Sequence, residues 1–369
     1  MDKKKILIVS RSFYPMNSPR SFRTTELAKE FVQQGHQVTV LTHKDDAVHI
    51  AFEKEFGLVV KDFGKLKWNA IKVKGGKFEN LFRRLLIRFT IQFFEYPNVE
   101  LMGLVKKALQ KETGYDLLIS IATPHPTHWG VAAVWNRQQK IATTWVADCG
   151  DPYMGRESNS FKPAFYFRYV EKWFCKKADW LTVPTNSSIQ AYYPEFREKI
   201  KVIPQGFNFD DYQFPISAKN NKPVFAYAGN FIPGLRDPTE FLAFLNGLEM
   251  DFEFRIYTLT PYVVPSFAKN SKGRIIICKT IPRIELLQEL STVDFVVNFE
   301  NTGTSETPSK LIDYAIVKKP ILPVKTGSLN KDLVLEFING HYTNAQQVQN
   351  MDQYRIQKVC AQFIDLSKS

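Results

Sequence analysis

The sequence predicts an α/β protein built from two doubly wound parallel sheets that follow one another along the chain. Short apolar runs bounded by turn residues recur, and helical patterns separate them. The runs are continuously apolar, which is typical of strands buried on both faces in a parallel sheet covered by helices. After Pro204 the pattern stops and then restarts, so that the 369 residues divide into two domains.

The predicted elements follow directly from these runs. In the first half, strands are predicted at 5–10, 38–42, 117–121, 143–147, 180–183 and 201–203. In the second half, they are predicted at 224–229, 252–257, 274–278, 294–299 and 320–324. The stretch IPQGFNFDDYQFPISAKNNKP, residues 203–223, is rich in Pro, Asn and Asp and is typical of a linker. The predicted domains are therefore 1–205 and 206–345, followed by a helical segment at 346–369.

Composition and charge narrow the class of partner. The formal net charge of +12 favours an anionic partner such as a phosphate or a lipid headgroup. No recognisable nucleic-acid-binding module accompanies this charge, so we predict no nucleic-acid partner. The four cysteines form no CxxC pair, which disfavours a zinc knot or a disulfide framework and fits a reducing cytosol. No run reaches the roughly 18 apolar residues of a transmembrane helix.

The loop after the first predicted strand is a candidate anion site. The strand ILIVS runs into RSFYPMNSPRS and then into a helix that begins near residue 21. The motif GxGxxG is missing, which disfavours an NAD site. Ligands gather at the carboxyl edge of a parallel sheet and anions at helix starts, so Ser18, Arg20 and Arg23 are candidate binding residues. The alternative is an ordinary loop at that edge.

Two polar motifs follow later strands of the first half. SIATPHPTHWG carries His125 and His128, whose spacing allows a metal pair, but no third ligand lies nearby, so we prefer histidines that line a polar site. TTWVAD ends in DCGDPY, where Asp148 and Asp151 either bind an acceptor hydroxyl or act as a base, or else cap a helix. We name Asp148 and His125 as candidate catalytic residues and predict no metal site.

The stretch KFENLFRRLLIRFTIQFFEYP, residues 77–97, combines apolar and basic side chains at helical spacing. Its apolar positions follow a helical period, while Arg83, Arg84 and Arg88 fall together elsewhere on the helical wheel. The basic and aromatic enrichment indicates an interfacial helix attracted to an anionic membrane surface. The apolar surface is also wide, which favours equally the burial of part of the helix inside the domain.

Two loops of the second half carry residues suited to a diphosphate. YAGNFIPGLRDPTEF, residues 227–241, has Gly229 and Asn230 at a strand end and then Arg236. Glycine lets backbone amides approach a phosphate closely, and arginine offers a forked donor. SETPSKLIDYA, residues 305–315, follows the strand DFVVNF and places Ser309 and Lys310 in the first helical turn, where free amides carry partial positive charge.

One turn further along the same helix lies Asp313. A carboxylate does not suit a phosphate, but it accepts hydrogen bonds from the two hydroxyls of a ribose. Both loops leave the carboxyl ends of strands in one predicted sheet, so the pattern predicts a site for a diphosphate and the adjacent ribose. The alternative is a well-capped surface helix with an i to i+3 pair.

In order and spacing, these segments resemble the glycosyltransferases of family 4, which have the GT-B fold. The resemblance spans nearly the whole chain and rests on ILIVSRSFYP, TTELAKEFVQQGHQVTVLT, VIPQGFN, FAYAGN and ELLQELSTVDFVVNFENTGTSETPSKLIDYAIVKKPIL. It implies two Rossmann-like domains facing a cleft, with the acceptor held by the N-terminal domain, the donor nucleotide held by the C-terminal domain, and the segment 346–369 crossing back to the first domain. It also implies transfer with retention at the anomeric carbon and no cofactor or essential metal.

Carried over to this sequence, the resemblance assigns a donor site and an acceptor side. The donor residues are Gly229, Asn230, Arg236, Ile281, Pro282, Glu306, Ser309, Lys310 and Asp313. Among them, Arg236 and Lys310 would hold the diphosphate, and Asp313 stands where the family usually has a ribose-binding Glu. The acceptor-side residues are Ser18, Arg20, Arg23, His128 and Asp151. TPHP together with DCGDPY resembles the acceptor-side loops of members that build bacterial surface polysaccharides.

The sequence departs from the family pattern at three points. The usual pair of glutamates eight positions apart is absent, since counting back from Asp313 reaches Ser305, and Glu306 is one place off. The lysine that commonly follows the first arginine of the C-terminal domain is missing from LRDPTEF. The Gly-Gly loop expected after the first strand is replaced by NSPRS.

The sequence thus predicts a retaining glycosyltransferase that uses a nucleotide-diphosphate sugar and a lipid-linked or saccharide acceptor in cell-surface polysaccharide synthesis. It would work in the cytoplasm or on the inner face of the cell membrane. One alternative is a nucleotide-sugar 2-epimerase, which needs several acid/base carboxylates and histidines in its cleft. Another is a non-catalytic subunit that binds sugar nucleotide or lipid and assists a partner.

Overall fold

The computed structural model describes residues 2–69, 71, 76–136, 141–155, 163–214, 220–300, 309–348 and 350–368. The chain divides into two compact units, Met1–Asn208 with Asp352–Ser369 and Phe209–Met351. Each unit contains a parallel sheet with helices, which confirms the predicted α/β class with two Rossmann-like domains.

The first unit is built on a parallel sheet that has seven strands among the described residues. These are β1 (Lys5–Ser10), β2 (Gln37–Thr42), β3 (Val59–Asp62), β4 (Tyr115–Ala122), β5 (Ala142–Cys149), β6 (Trp180–Val183) and β7 (Ile200–Val202). Their order in the sheet is β3-β2-β1-β4-β5-β6-β7. The sequence does not predict β3, because its four residues VVKD end in two charged side chains and form no apolar run.

Helices cover this sheet on both faces. The helices of this part of the chain are α1 (Pro19–Gln33), α2 (Asp46–Phe56), α3 (Lys77–Phe94), α4 (Glu100–Leu109), α5 (Pro126–Val134) and α6 (Phe167–Lys177), and all except α3 bury side chains against the core. Strand side chains alternate between two buried clusters, with Leu7 and Val9 in one and Ile6 and Ile8 in the other. This double burial explains the continuously apolar strands.

The second unit has a smaller parallel sheet of five strands within the described ranges, in the order β10-β9-β8-β11-β12. The strands are β8 (Val224–Ala228), β9 (Glu253–Tyr257), β10 (Ile275–Cys278), β11 (Phe295–Phe299) and β12 (Ile321–Val324). The helices are α7 (Thr239–Asn246), α8 (Val264–Asn270), α9 (Arg283–Thr292), α10 (Ser309–Ile316) and α11 (Lys331–Ile338). Stacked aromatic rings fill the core, among them Phe225, Phe254 and Phe295.

The last helix, α12 (Ile356–Leu366), belongs to the first unit although the second unit precedes it along the chain. Its buried side chains, including Val359 and Phe363, share a core cluster with Leu27 of α1. The ring of Phe363 also lies 5.5 Å from the guanidinium carbon of Arg23. The end of the chain therefore supports the helix that presents the predicted acceptor-side arginines.

The helix α3 differs from the other helices of the first unit, because none of its residues with a described side chain is buried. Its most exposed apolar side chains include Phe82, at 67% exposure, and Leu81, at 58%. Near its C-terminal end, the carbonyl of Gln92 accepts a hydrogen bond from Ala164 N at 2.9 Å. Among the described helices, none is both long and apolar enough to span a membrane.

Each sheet has a point at which its strand order reverses, and ligands of doubly wound folds bind outside the carboxyl ends of strands at that point. In the first unit the reversal lies between β1 and β4, and in the second between β8 and β11. The loops that follow these four strands, together with the helices after those loops, carry most of the predicted site residues.

Candidate nucleotide-sugar and acceptor sites

The second unit has a cavity of about 230 Å³ at its reversal point. Loops after β8, β9 and β10 and the first turns of α10 form its walls. Five predicted donor residues line it, namely Gly229, Asn230, Ile281, Lys310 and Asp313. Pro282 lies beside it as the residue before α9, while Glu306 and the side chain of Ser309 lie outside the described residues.

Gly229 ends β8 in a backbone conformation that requires glycine. Its φ angle is +151°, and a Cβ atom at this position would lie only 2.9 Å from the hydroxyl oxygen of Tyr227. That hydroxyl is held in place because it donates to the carbonyl of Asn230 at 3.1 Å. The glycine therefore lets the chain turn sharply at the edge of the cavity.

The helix α10 is fastened beside this turn by Tyr314. The hydroxyl of Tyr314 accepts from the Ala228 amide at 3.0 Å and donates to the Ala228 carbonyl at 3.3 Å. Tyr314 is fully buried, so these two bonds fix the depth of α10 against β8. Lys310 and Asp313 thereby face the cavity from one helix. Sequence reasoning missed Tyr314 because its partner lies 86 residues away.

Lys310 brings a positive charge into a poorly solvated position. Its Nζ donates to the carbonyl of Phe299 at 2.9 Å and lies 5.3 Å from the centroid of the Tyr227 ring. Burial lowers the pKa of Lys310 to about 7; the charge of Arg236 acts in the same direction, and Glu300 opposes it. Lys310 therefore loses its proton more readily near neutral pH than an exposed lysine does.

Arg236 adds a second cation near Lys310, although it does not line the cavity itself. The buried Nε atom of Arg236 has no hydrogen-bond partner among the described residues. A guanidinium nitrogen without a partner is costly when buried, and an anionic acceptor would remove that cost. Lys310 and Arg236 thus form an electropositive corner that suits a diphosphate.

Asp313 is already paired in the structure. Its Oδ1 accepts from Arg283 Nη2 at 2.5 Å and from Nε at 3.2 Å. Arg283 in turn donates to the hydroxyl of Tyr212 at 2.5 Å, and its guanidinium lies 5.2 Å from that ring. Burial raises the pKa of Asp313, and Arg283 opposes the rise.

Asp313 thus lines the cavity while its carboxylate is paired with Arg283. Sequence reasoning missed Arg283, although it directly follows the named pair Ile281 and Pro282. A charged residue at the start of a helix, just after the predicted base pocket, is the signal that points to it.

The first unit has a larger cavity of about 1010 Å³, lined by the loops after β1, β4 and β5 and by part of α3. Four predicted residues line it, namely Ser18, Arg20, His125 and Asp151. Ser18 also caps α1, since its hydroxyl accepts from Ser21 N at 3.2 Å. The sequence did not single out Arg11, Glu95 or Tyr153, which line the same cavity.

Arg20 reaches this cavity only because residue 150 is a glycine. A Cβ atom on Gly150 would lie 1.9 Å from Arg20 Nη2, so any larger residue would displace the guanidinium. Burial lowers the pKa of Arg20, Asp148 opposes that effect, and their closest approach is 3.8 Å. Nearby, Arg11 Nη1 donates to the amide oxygen of Asn98 at 2.5 Å.

His125 is almost fully buried, yet it lines the cavity. Its Nε2 lies 3.0 Å from the carbonyl oxygen of Asp151, and its ring packs 4.9 Å from that of Tyr153. These contacts fix the ring beside the loop after β5. The structure therefore places His125, a predicted catalytic residue, in the wall of this cavity, and its catalytic role stays a prediction.

Asp148 lies beneath this cavity rather than in its wall. Its two oxygens accept from Arg23 Nε at 2.6 Å and Nη2 at 2.8 Å, and Oδ1 also accepts from the Thr182 hydroxyl at 2.7 Å. Burial pushes the pKa of Asp148 upward, but Arg23, Arg20 and the Thr182 hydroxyl together outweigh it and hold the pKa below its usual range. A carboxylate that is ionised and fully hydrogen-bonded makes a poor general base, so the geometry gives Asp148 a positioning role.

Two other predicted acceptor-side residues share this buried layer. Arg23 is 3% exposed, and its Nη1 and Nη2 also donate to the carbonyls of Pro204 and Ile203. His128 is fully buried between Ser120, 2.8 Å from its Nδ1, and Cys149, 3.6 Å from its Nε2, and burial lowers its pKa to about 3. Both side chains support the fold below the cavity. Within the described ranges, no three His, Cys, Asp or Glu side chains are grouped to hold a metal ion.

Two Rossmann-like units, each with a cavity at its reversal point, are the architecture of the GT-B fold. The sequence matches the family model Glycosyltransferase Family 4 over residues 22–211, which is more than half of the chain. The chain belongs to this family, and its enzyme class is glycosyltransferase. No curated protein matches the sequence significantly.

Solved structures extend the likeness over the whole chain. TarM superposes with a TM-score of 0.63 at 11% identity, covering 100% of this chain and 99% of its own. HepE from Anabaena, solved with UDP and glucose, has a TM-score of 0.55 at 13% identity, with coverages of 99% and 97%. The UDP-GlcNAc 2-epimerase from Methanocaldococcus jannaschii has a TM-score of 0.52 at 10% identity and coverages of 99% and 99%. At these identities the likeness shows the fold alone.

Proposed function

We propose that the protein is a retaining glycosyltransferase that moves a sugar from a nucleotide-diphosphate sugar to a lipid-linked or saccharide acceptor in cell-surface polysaccharide synthesis. The observation that carries this proposal is the electropositive corner formed by Lys310 and Arg236 at the reversal point of the second sheet. A diphosphate is the ligand whose charge and position match it. The Asp313 carboxylate, held by Arg283, would then accept hydrogen bonds from the ribose.

The same corner would assist the chemistry. Negative charge grows on the diphosphate as its bond to the sugar breaks, and Lys310, Arg236 and the first amides of α10 would stabilise it. These cations would supply the charge without an essential metal. The acceptor hydroxyl would attack from the face that the diphosphate leaves, without a protein nucleophile, and the configuration at the anomeric carbon would be retained.

The acceptor would bind in the cavity of the first unit. There His125 and Asp151 would meet its hydroxyl groups, with Ser18 and Arg20 on the opposite loop. Asp148, buried below, would keep Arg20 and Arg23 in place rather than contact the acceptor.

The exposed helix α3 supports a lipid-linked acceptor. Several of its apolar side chains are exposed, among them Leu81, Phe82 and Phe89, and Arg83 and Arg84 would attract an anionic bilayer. Exposed aromatic side chains at Phe165 and Tyr169 extend this surface, since Tyr166 between them bonds to the Phe93 carbonyl of α3. The same helix lines the acceptor cavity through Arg88 and Ile91, so a membrane-bound protein would keep that cavity beside the lipid. The proposal therefore places the enzyme on the cytoplasmic face of the membrane.

A 2-epimerase is the second candidate, because one similar fold belongs to such an enzyme. An epimerase needs acid and base groups near the donor sugar, whereas the described cavity of the second unit offers one carboxylate that is already paired. The non-catalytic subunit would bind nucleotide sugar without consuming it.

One experiment distinguishes the three candidate functions: transferase, epimerase and non-catalytic subunit. The protein is incubated with a panel of nucleotide sugars, with and without membrane extract, and free nucleotide and labelled products are followed. Nucleotide released only with extract, together with labelled lipid or saccharide, supports the transferase. Donor converted to another nucleotide sugar or to sugar without extract supports the epimerase, and binding without turnover in either condition supports the non-catalytic subunit.

A further inference from the structure

The first unit has another cavity, of about 470 Å³, beside the proposed acceptor site. It opens at the carboxyl ends of β1, β2 and β3, and it shares Arg11 and Met16 with the larger cavity. A volume of this size suits a small-molecule site. The shared wall residues place the two cavities side by side at the edge of one sheet.

Two exposed aromatic rings border this second cavity. Tyr14 is 42% exposed, and its ring stacks on Phe52 with centroids 4.7 Å apart and planes 26° apart. Trp68 is 48% exposed, and its ring stacks on Tyr96 with centroids 5.6 Å apart and planes 20° apart. Each ring therefore has one face covered by protein and keeps exposed surface for a flat apolar ligand face.

The Trp68 ring is held in position before any ligand binds. The carboxylate of Glu100, at the start of α4, accepts from the amides of Lys67 and Trp68, the latter at 2.8 Å. The Tyr96 hydroxyl donates to the carbonyl of Asn69 at 2.8 Å. Fixing an exposed aromatic side chain in this way lowers the entropy cost of binding.

Tyr14 is fixed through its backbone. Asp45 N donates to His49 Nδ1 at 2.8 Å, so the proton of the neutral imidazole lies on Nε2. That nitrogen donates to the Tyr14 carbonyl at 2.6 Å. A buried histidine thus connects the loops after β1 and β2 and holds the backbone of Tyr14.

Polar side chains accompany these rings in the lining. Asp45, Asn69, Lys65 and the half-exposed His43 offer both donors and acceptors. An alkyl chain in this cavity would cover these groups without giving them hydrogen bonds, which is unfavourable. A sugar ring has apolar C–H faces, which stack on aromatic rings, and hydroxyl groups around its edge, which form hydrogen bonds with polar side chains. It therefore suits both the aromatic and the polar residues of this cavity.

We propose that this second cavity is a saccharide subsite, with Tyr14 and Trp68 as stacking platforms for a sugar of the acceptor that does not itself react. The inference rests on the proposed function, and it specifies the acceptor as a chain of at least two sugar units. Arg11, fixed by Asn98 at the boundary, would contact the linkage between the two units.

The test uses full-length protein labelled with 5-fluorotryptophan and followed by fluorine NMR. Trp68→Phe identifies the Trp68 resonance by its disappearance. The probes are glucose, galactose, N-acetylglucosamine, lactose, cellobiose and chitobiose, with farnesyl phosphate as the apolar probe. We expect at least one saccharide to shift the Trp68 resonance and Tyr14→Ala to weaken that binding roughly fivefold. Tyr262→Ala, which changes a similarly exposed tyrosine (47%) in the second unit, should leave it unchanged.

Two results would overturn the subsite: a Trp68 resonance that no saccharide moves, or one that only farnesyl phosphate moves. The second result would assign the cavity to a lipid chain. Nucleotide-sugar binding, followed in the same samples by thermal shift, reports separately on the second unit. Saccharide shifts without nucleotide-sugar binding would refute the proposed function and leave the subsite standing, whereas the opposite pattern would refute the subsite alone.

Discussion

Both units place basic side chains at the carboxyl ends of parallel strands, but only in the first unit is such a side chain paired with a fully buried carboxylate among the described residues. In the first unit, Arg23 and Asp148 are each about 3% exposed or less and share two short hydrogen bonds. In the second unit, Lys310 donates to a neutral carbonyl, and the buried Nε of Arg236 has no partner among the described residues. Arg23 and Asp148 therefore satisfy each other without a ligand, whereas Lys310 and Arg236 leave a buried donor, Arg236 Nε, without an acceptor among the described residues.

This difference shows that the type of residue at a strand end does not by itself identify a binding site. Asp148 and Lys310 both satisfy the sequence criteria for a functional group. Their surroundings separate them. Burial with hydrogen bonds from Arg23 and Thr182 makes Asp148 structural, whereas burial outweighs the opposing charge of Glu300 and lowers the pKa of Lys310 to about 7. We expect mutations in the two units to affect different properties.

The largest expected effect is on stability in the first unit. Asp148→Ala leaves the Arg23 guanidinium buried without its carboxylate, which should cost about 3–5 kcal/mol of the free energy of unfolding of that unit. Chemical denaturation followed by tryptophan fluorescence measures it. Asp365→Ala removes a surface carboxylate, 69% exposed, from its pair with Lys368 and should change stability by less than about 1 kcal/mol. Equal losses in the two variants would contradict the structural role of Asp148.

The next effect is on turnover in the second unit. Lys310→Ala should lower the turnover number roughly 100-fold, because a cation that faces the departing diphosphate is lost. The assay follows nucleotide release from the active donor with membrane extract. Lys331→Ala, on the exposed start of α11, serves as the control for a lost lysine. Near-normal turnover in Lys310→Ala would remove the lysine from the diphosphate site.

A smaller effect concerns the surface of the first unit. Changing both Arg83 and Arg84 to Glu should weaken binding to vesicles with anionic lipid roughly 30-fold or more, since each basic residue near such a surface contributes about 1 kcal/mol. Vesicle co-sedimentation measures this. The control changes Lys106 and Lys107 of α4, which are also exposed, to Glu. If both double variants bind as the wild type does, α3 is not a membrane-binding helix.

The smallest effect concerns the ribose. If the Asp313 carboxylate accepts from a ribose hydroxyl, the wild type should prefer a ribonucleoside diphosphate over its 2′-deoxy analogue by roughly tenfold, as expected for one hydrogen bond to a charged group. Asp313→Ala should remove this preference. Competition between the two nucleotides, measured by calorimetry, provides the test. A preference that survives the substitution would place the ribose elsewhere.

The fold was largely predictable because its strands are buried on both faces. A strand buried on both faces requires a continuous apolar run, and such runs locate every described strand except β3. The sequence of β3, VVKD, ends in two charged residues and is therefore not recognised as a strand. The exposure of α3 was not predictable, since a wide apolar face is typical both of core helices and of interfacial ones.

The sites were predictable only in part. Loop residues such as Gly229 and Lys310 follow strands directly, so their place at the sheet edge could be inferred from the sequence. The partners that decide their chemistry lie far away in sequence, as Arg23 does from Asp148, 125 residues apart. The close approach of Arg20 to Gly150 likewise cannot be inferred from the sequence around either residue.

The central claim is that Lys310 and Arg236 bind the donor diphosphate. If they do, binding of the donor is linked to protonation of Lys310. The free Lys310 ammonium loses its proton near pH 7, whereas a bound diphosphate favours the charged form and raises the pKa toward its ordinary value of about 10.4. Affinity for the donor should therefore be greatest below pH 7 and fall by up to about tenfold per unit as the pH rises above it. Lys310→Arg keeps its charge throughout and should bind with little pH dependence in this range.

The most direct test is calorimetric titration with the best-binding nucleotide sugar at pH 8, in two buffers that differ in their heats of ionisation. The wild type should take up about 0.9 proton per site, as a group with a pKa near 7 becomes fully charged. Lys310→Arg should take up none. No proton uptake by the wild type, or the same uptake by the variant, would contradict the claim that the Lys310 ammonium meets the donor diphosphate.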